Sequence, residues 1–432
     1  MASCAIYLEP QRQPKRNFAM PTNLPINADR LWASLMEMAE IGATEKGGNC
    51  RLSLTDLDKQ GRDLFVSWCE TAGCAVSVDA AGNIFARRPG RDASKPAVMM
   101  GSHLDTQPTG GRFDGVLGVL AGLEAIRTLN DHGIETDAPV DLACWTNEEG
   151  SRFSPAMMGS GVFAGVFELD DIAAKEDMDG ATFGDELQRI GYAGNETPGA
   201  RDIGAYFELH IEQGPILEAE EKTIGVVTDA QGQRWYEVTV TGAESHAGPT
   251  PMPRRRDALL AASKIVQEVN RIGFAHAPNA CATVGHMQVR PNSRNVIPGE
   301  VFLTVDLRHP EDETLSTMND ELKAFCTGLA AEAKVSVDVV DFWYSPPTAF
   351  NEACVNAVRN GAQLAGYSHR DIVSGAGHDA VYIAGVAPAG MIFIPCEDGI
   401  SHNEIENATP EDCAAGCQVL LHAVLESAEP VE

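Results

Sequence analysis

The stretch Gly101-Ser102-His103-Leu104-Asp105, followed by Gly111-Arg112-Phe113-Asp114-Gly115, sets one histidine and two aspartates around a short glycine-rich loop. Upstream, Pro96-Ala97-Val98-Met99-Met100 is a brief apolar run bounded by turn-forming residues, which predicts a buried strand with His103 just past its end. Downstream, Val116, Val119, Leu120, Leu123 and Ile126 carry the spacing of one buried helical face within 116–129. Asp114 then belongs at the mouth of a helix N-terminus, where a carboxylate is placed to bridge two cations. Asp105, two residues after a potential metal ligand, is placed to accept the second ring N–H of His103 and fix its tautomer.

The pattern recurs along the chain. Pro139 to Trp145 is a second strand-like run, and it leads into Thr146-Asn147-Glu148-Glu149. Tyr206-Phe207-Glu208-Leu209 leads to His210, with Glu212 and Gln213 behind it, and Gly390 to Ile394 leads to Glu397 through His402 and Asn403. Four times an apolar segment ends in residues of metal-ligand type. In open α/β sheets sites gather outside the carboxyl ends of the strands, so the four pieces are expected to converge on one cleft. A two-metal hydrolase is the chemistry that such a set suggests.

Read in order, GSHLDTQPTGGRFDG, WTNEEGSRFSPAMMGSG, ELHIEQGP, SHAGPTPM, NSRNVIPG and SGAGHDA resemble the amidase branch of the M20 metallohydrolases, which holds N-carbamoyl-amino-acid hydrolases, β-ureidopropionase and allantoate amidohydrolase. The likeness runs over roughly residues 30 to 425, and six ordered motifs are far more specific than any one alone.

The resemblance implies two divalent metal ions, zinc first, with manganese, cobalt or nickel also suited to these ligands. His103 and His210 would hold one, Glu149 and His402 the other, and Asp114 would bridge them. Glu148 would be the general base and His246 would stabilise the oxyanion. Gln213, Asn295 and Arg308 match substrate-binding positions, the last gripping a carboxylate through its planar fork. In relatives the Gly375 to His378 segment also lies near the substrate carboxylate through the backbone of Gly375 and Gly377 and the His378 ring. By the same resemblance His210 points to the amidase branch, because peptidase relatives tend to carry an acid there.

Several of these residues have an ordinary structural alternative. Ser245-His246-Ala247-Gly248 before a proline also fits a tight turn, and Gly375 to Ala380 a plain turn into a helix. Arg308 could pair with Asp306 or Glu300. Arg254-Arg255-Arg256 reads as a solvated helix start, and Cys413 and Cys417 share a helical face without a partner pair that would suggest zinc. His132, His276, His286, His309, His369 and His422 have no motif around them and read as structural.

At 432 residues, 44% hydrophobic and 22% charged, the chain is long enough for two cores. A net charge of -30 argues against nucleic acid and anionic membranes as partners. It also requires a locally positive cleft if the substrate is a small carboxylate. Eleven cysteines without regular spacing, and no apolar run of membrane-spanning length, predict reduced thiols, a cytoplasmic location and no membrane span. Residues 1–20 read as a loose arm without a signal-peptide core, with Met20 an alternative start.

The fold class expected is α/β: a catalytic domain from 21–228 and 346–432, with a mixed sheet flanked by helices, interrupted by an α+β insert at 229–345. In the insert the periodicity reads strand (235–240), helix (257–272), strand (282–289), strand (300–307), helix (315–333), strand (335–342), a four-stranded sheet backed by two helices. Helices are also expected at 353–364 and 410–426. By resemblance the insert acts as lid and homodimerisation domain. The expected reaction is hydrolysis of an N-carbamoyl amino acid, with N-carbamoyl-β-alanine preferred on the Thr106 to Gly111 loop, N-carbamoyl-L-α-amino acids next and allantoate third. An aminoacylase or peptidase, and a non-catalytic metal-bearing binding protein, are the alternatives.

Overall fold

The structure is a computed structural model that describes residues 24–431, so the loose arm and the Met20 start lie outside the described residues. Fifteen strands follow in chain order: β1 Ala75–Val78, β2 Ile84–Arg88, β3 Ala97–His103, β4 Val140–Trp145, β5 Ile203–Ile211, β6 Ile224–Ala230, β7 Gly232–Thr241, β8 Ser245–His246, β9 Cys281–Arg290, β10 Val296–Ile297, β11 Glu300–His309, β12 Ser336–Ser345, β13 Thr348–Ala349, β14 His369–Ser374 and β15 Ala389–Ile394.

Nine of them form one mixed sheet in the order β1-β2-β4-β3-β5-β15-β6, with β13 and β14 both paired to β6. Its centre is parallel: β3 pairs with β4 and β5, and β5 with β15, all in the same direction. These central strands are apolar and buried on both faces, as parallel strands between helical layers must be. Four consecutive carboxyl ends therefore open on one side of the sheet, and those ends carry the residues picked out above.

The helix Val116–Asp131 differs from the expected one-faced element. Thirteen of its sixteen residues are buried, because it is wedged between the sheet and the helices Ala28–Ala39 and Pro410–Ala428. Small residues permit this closeness: a Cβ on Gly118 would lie 2.4 Å from the Leu209 carbonyl oxygen, and one on Gly122 would lie 2.5 Å from Leu142 Cδ1. The buried Glu124 is satisfied by Arg30 at 2.7 Å, by the Asn27 N–H and by the Thr128 hydroxyl.

Residues 232–345 build a second, antiparallel sheet of order β12-β7-β11-β9, covered on one face by the helices Ala258–Ala275 and Asp312–Ala333. On β11 burial alternates strictly: Val301, Leu303, Val305 and Leu307 face these helices in a separate core, while Phe302, Thr304, Asp306 and Arg308 lie on the other face. Asp257 caps the first helix by accepting the Leu260 N–H. The two-residue pair β8–β10 has too little apolar alternation to be foreseen. The later helices run Glu352–Ala365 and Pro410–Ala428, with Cys413 and Cys417 in the core and all described cysteines free. Among the described residues no helix is long and apolar enough to cross a membrane.

Candidate active site

The ligand-type residues arrive from the four parallel strand ends. His103 is the last residue of β3 and His210 lies inside β5, both slightly earlier in their elements than expected. Glu148 and Glu149 follow β4 after a tight turn in which Asn147 takes a left-handed φ of 57°. His402 comes in on the loop beyond β15, also left-handed at φ 54°. Asp114 sits where the loop after β3 enters the buried helix. The loop passes directly beneath the His103 ring, and only Gly115 permits it: a Cβ there would sit 2.3 Å from the imidazole.

These side chains form two groups that share Asp114, namely His103 with His210 and Glu149 with His402. Asp114 Oδ1 is 3.1 Å from His210 Nε2 and 3.7 Å from His103 Nε2. Asp114 Oδ2 is 3.5 Å from His402 Nε2, which lies 3.4 Å from Glu149 Oε2. Bonds of about 2.0–2.2 Å at tetrahedral angles put donor atoms roughly 3.3–3.6 Å apart, so the three wider spacings are close to those of ligands around a cation, while His210 and Asp114 at 3.1 Å are within hydrogen-bond reach. The nitrogens pointing away are already engaged, His103 Nδ1 with the Asp105 carbonyl oxygen and His210 Nδ1 with that of Ile211, each at 2.9 Å. That leaves both Nε2 atoms on the side of the centre, where that of His210 also lies 3.1 Å from the Gly115 backbone nitrogen. The residues present fit two divalent cations.

One expectation is corrected here. The carboxylate of Asp105 does not take the His103 N–H; its Oδ1 is 3.9 Å from Nδ1, and the backbone carbonyl of the same residue does that work. The carboxylate instead accepts the backbone N–H groups of Glu148 and Glu149, at 3.3 and 3.2 Å, and so fixes the turn that presents both glutamates.

Burial and crowding of charge set the protonation of these side chains. Burial lowers His103 to about 4. Burial also works against a charged His210, but the hydrogen bond and charge of Asp114 outweigh it and raise the ring to about 9. Glu148 is pushed well above the usual carboxylate range by burial and by the charges of Asp379 and Glu149, and Glu149 by burial and by Asp114. Glu148 Oε2 lies 3.4 Å from His103 Nε2, beside the first group without belonging to it.

The remaining residues divide into those near this centre and those away from it. Gln213 donates to Asp114 Oδ2 at 2.8 Å, and His378 packs its ring 4.5 Å from that of His210 while bonding Ser374. A cavity of about 240 Å³ is lined by Glu148, Glu149, His210 and His402 on one side and by Gln233, Trp235, Arg308 and Trp343 on the other. Gly377 and His378 also line it, and Gly375 borders the adjoining cleft. Arg308 is engaged with Asp306, the structural pairing weighed above, at 2.7 Å. His246 and Asn295 are not brought to the cavity. They are exposed neighbours on β8 and just before β10, where the Ala247 N–H bonds the Asn295 carbonyl.

Other side chains have no counterpart in the motif reading. Glu406 is buried and accepts the N–H groups of Phe113 and Asp114 at 3.0 and 3.1 Å, and Ser401 Oγ lies 2.8 Å from Glu406 and 2.9 Å from Asp114. Gln107 donates to Glu149 at 2.7 Å. The one signal for Glu406 was its place four residues after His402. Trp235, read only as a strand residue, and Trp343, one residue beyond the strand expected at 335–342, wall the cavity.

A mixed sheet whose parallel strand ends carry two ligand groups joined by one carboxylate defines a hydrolase with a candidate two-cation centre. The chain belongs to peptidase family M20/M25/M40, which it matches over residues 99–426. It is 53% identical to an N-carbamoyl-L-amino-acid amidohydrolase of Rhizobium meliloti across 95% of this chain and 99% of that one. It is 32% identical to an allantoate amidohydrolase of Bacillus subtilis, across 89% and 93%. A crystal structure of an amidase of the hydantoinase/carbamoylase family from Burkholderia vietnamiensis superposes with a TM-score of 0.92 at 63% identity, covering 95% of this chain and all of the other. The chain is thus an enzyme of the amidase branch, whose named members are hydrolases of carbon–nitrogen bonds other than peptide bonds.

Proposed function

We propose that the enzyme hydrolyses the carbamoyl carbon–nitrogen bond of an N-carbamoyl amino acid, releasing the amino acid, carbon dioxide and ammonia. The observation that carries the reading is Glu148, a buried carboxylate beside two ligand groups yet outside both, at the edge of a cavity that also contains an arginine. His103, His210, Asp114, Glu149 and His402 would hold two divalent cations, zinc first and manganese, cobalt or nickel otherwise, which would supply Lewis acidity. Glu148 takes the proton of the attacking water and passes it to the leaving nitrogen. Arg308 holds the substrate carboxylate, and Gln213, His378 and the Gly375–Gly377 backbone help orient it. The remaining carbamic acid falls apart without further catalysis.

His246 and Asn295 reach the substrate in this scheme only when the 229–345 segment moves as a lid over the 21–228 and 346–432 domain, or when they are delivered from the partner in a homodimer. Their exposed position on the β8–β10 pair supports one of these two routes. Thr250 and Ala247 carbonyls accept from Arg255, which holds the His246 turn as a unit fit to be carried.

The name of the Rhizobium meliloti relative supports ranking N-carbamoyl-L-α-amino acids ahead of the N-carbamoyl-β-alanine expected from the Thr106 to Gly111 loop, with allantoate third. Specificity constants for N-carbamoyl-L-methionine, N-carbamoyl-β-alanine and allantoate test this order. Preference for the first supports it; allantoate as the best of the three would replace it.

A further inference from the structure

The face of the inserted sheet that looks into the cavity contains a paired row. Register places Gln233 opposite Arg308 and Trp235 opposite Asp306, so the four side chains share one face of β7 and β11. Gln233, Trp235 and Arg308 line the cavity, and Asp306 is not part of its lining. Asp306 takes one edge of the guanidinium, with Nε at 3.0 and 3.1 Å from its two oxygens and Nη2 at 2.7 Å from Oδ2. Nη1 donates to the Gly375 carbonyl oxygen at 3.0 Å. A guanidinium carries two N–H bonds on each terminal nitrogen and one on Nε. One N–H on Nη1 and one on Nη2 thus remain.

We propose that Asp306 is a positioning residue for the carboxylate site: it holds Arg308 by the Nε edge so that the opposite, Nη1–Nη2 edge is presented to the substrate as a ready two-pronged clamp. The proposal rests on Arg308 being the carboxylate-binding residue. It follows that much of the arginine's charge is already balanced before substrate arrives, and recognition depends on matching a planar carboxylate to a fixed fork more than on net attraction. In a chain of net charge -30 such a clamp discriminates by geometry where long-range attraction is missing. The side chains of Arg308 and Asp306 are only about a quarter exposed, 26% and 27%, so little rotamer freedom is left once both contacts form.

The test compares Asp306→Asn, Asp306→Ala and Arg308→Met as metal-loaded enzymes on N-carbamoyl-L-methionine and on its carboxamide, which lacks the charge. Asn keeps the shape and one acceptor, so it separates positioning from a folding defect. Loss of a charge-assisted bond predicts that Asp306→Asn raises KM for the acid about tenfold, with kcat within about twofold, and Asp306→Ala raises it further. KM for the carboxamide stays level, so the preference for the acid collapses. Equal KM changes on both compounds, or a lower KM for the acid because Asp306 had been competing with it, would overturn the proposal. If Arg308→Met leaves the acid-over-amide preference intact, the carboxylate role of Arg308 fails and the proposal with it; if only that variant abolishes the preference, Asp306 alone is dismissed.

Discussion

His103 and Asp105 are joined through the main chain: the imidazole Nδ1 meets the Asp105 carbonyl oxygen at 2.9 Å, while the Asp105 carboxylate turns away to the N–H groups of Glu148 and Glu149. The aspartate thus serves the glutamate turn and the histidine with different atoms. Replacing Asp105 by alanine leaves the His103 contact in place and releases the turn. The expected result is a weakening of the Glu149–His402 cation by about 10–100-fold, the usual cost of losing an outer partner, with the His103–His210 cation retained. Metal content by elemental analysis after graded chelation checks this; loss of the His103–His210 cation first would return the carboxylate to the histidine.

Glu406 ties the loop of Asp114 to the loop of His402. Removing it in Glu406→Ala strands two buried N–H donors, each costing about 1–3 kcal/mol. Gly111 is tied to the same carboxylate, since a Cβ on it would lie 2.0 Å from Glu406 Oε1. Gly111→Ala and Glu406→Ala are expected to lower thermal stability and activity in parallel, and the double variant to do little more than either single one, because both break the same contact. Additive losses in thermal melts would separate the two residues.

The metal-free centre holds protons that cations must displace. His210, raised to about 9, is protonated at neutral pH, and Glu148 and Glu149 are pushed up as well. A ligating histidine has to be neutral, so cation binding releases protons and apparent affinity rises as pH increases towards 9. Calorimetric titration of zinc in buffers of different ionisation heat measures the release. Uptake of protons, or affinity flat from pH 6 to about 8, would contradict this protonation pattern.

His246 is exposed and outside the cavity, yet the proposed chemistry needs it. His246→Ala is expected to lower kcat by about 10²–10³-fold, the typical loss of one oxyanion partner, with little change in stability. Mixing His246→Ala with Glu148→Gln subunits distinguishes delivery across a dimer, which regains activity, from closure within one chain, which does not. Wild-type turnover in His246→Ala would remove the residue from the scheme.

Much of the centre was legible because strand, turn and ligand coincide in sequence. An apolar run that ends in His103, or leads within three residues to Glu148 and through a longer loop to His402, is a local signal, and parallel strands oblige such signals to converge. Arg308 was readable as a charged residue on an alternating strand, and its Asp306 partner could be weighed because the two are only two residues apart. Glu406 could not be read in the same way. Its partners are backbone N–H groups nearly 300 positions earlier, which leave no trace in side-chain pattern. The short helices Met158–Phe163, Leu169–Ala173 and Phe183–Ile190 were likewise missed, because so few turns give periodicity little room to show. The all-round burial of Val116–Asp131 arises from layers supplied by both ends of the described chain, so its own pattern showed only one face.

The most direct test of the central claim is ammonia release from N-carbamoyl-L-methionine by enzyme stripped of metal and refilled with zinc, manganese or cobalt, beside Glu148→Gln. The account predicts release that depends on added cation and falls by about 10²–10⁴-fold in the variant while its metal content is unchanged. Metal-loaded wild-type enzyme that releases no ammonia from this compound, from N-carbamoyl-β-alanine or from allantoate, yet cleaves N-acyl amino acids or dipeptides, would contradict it.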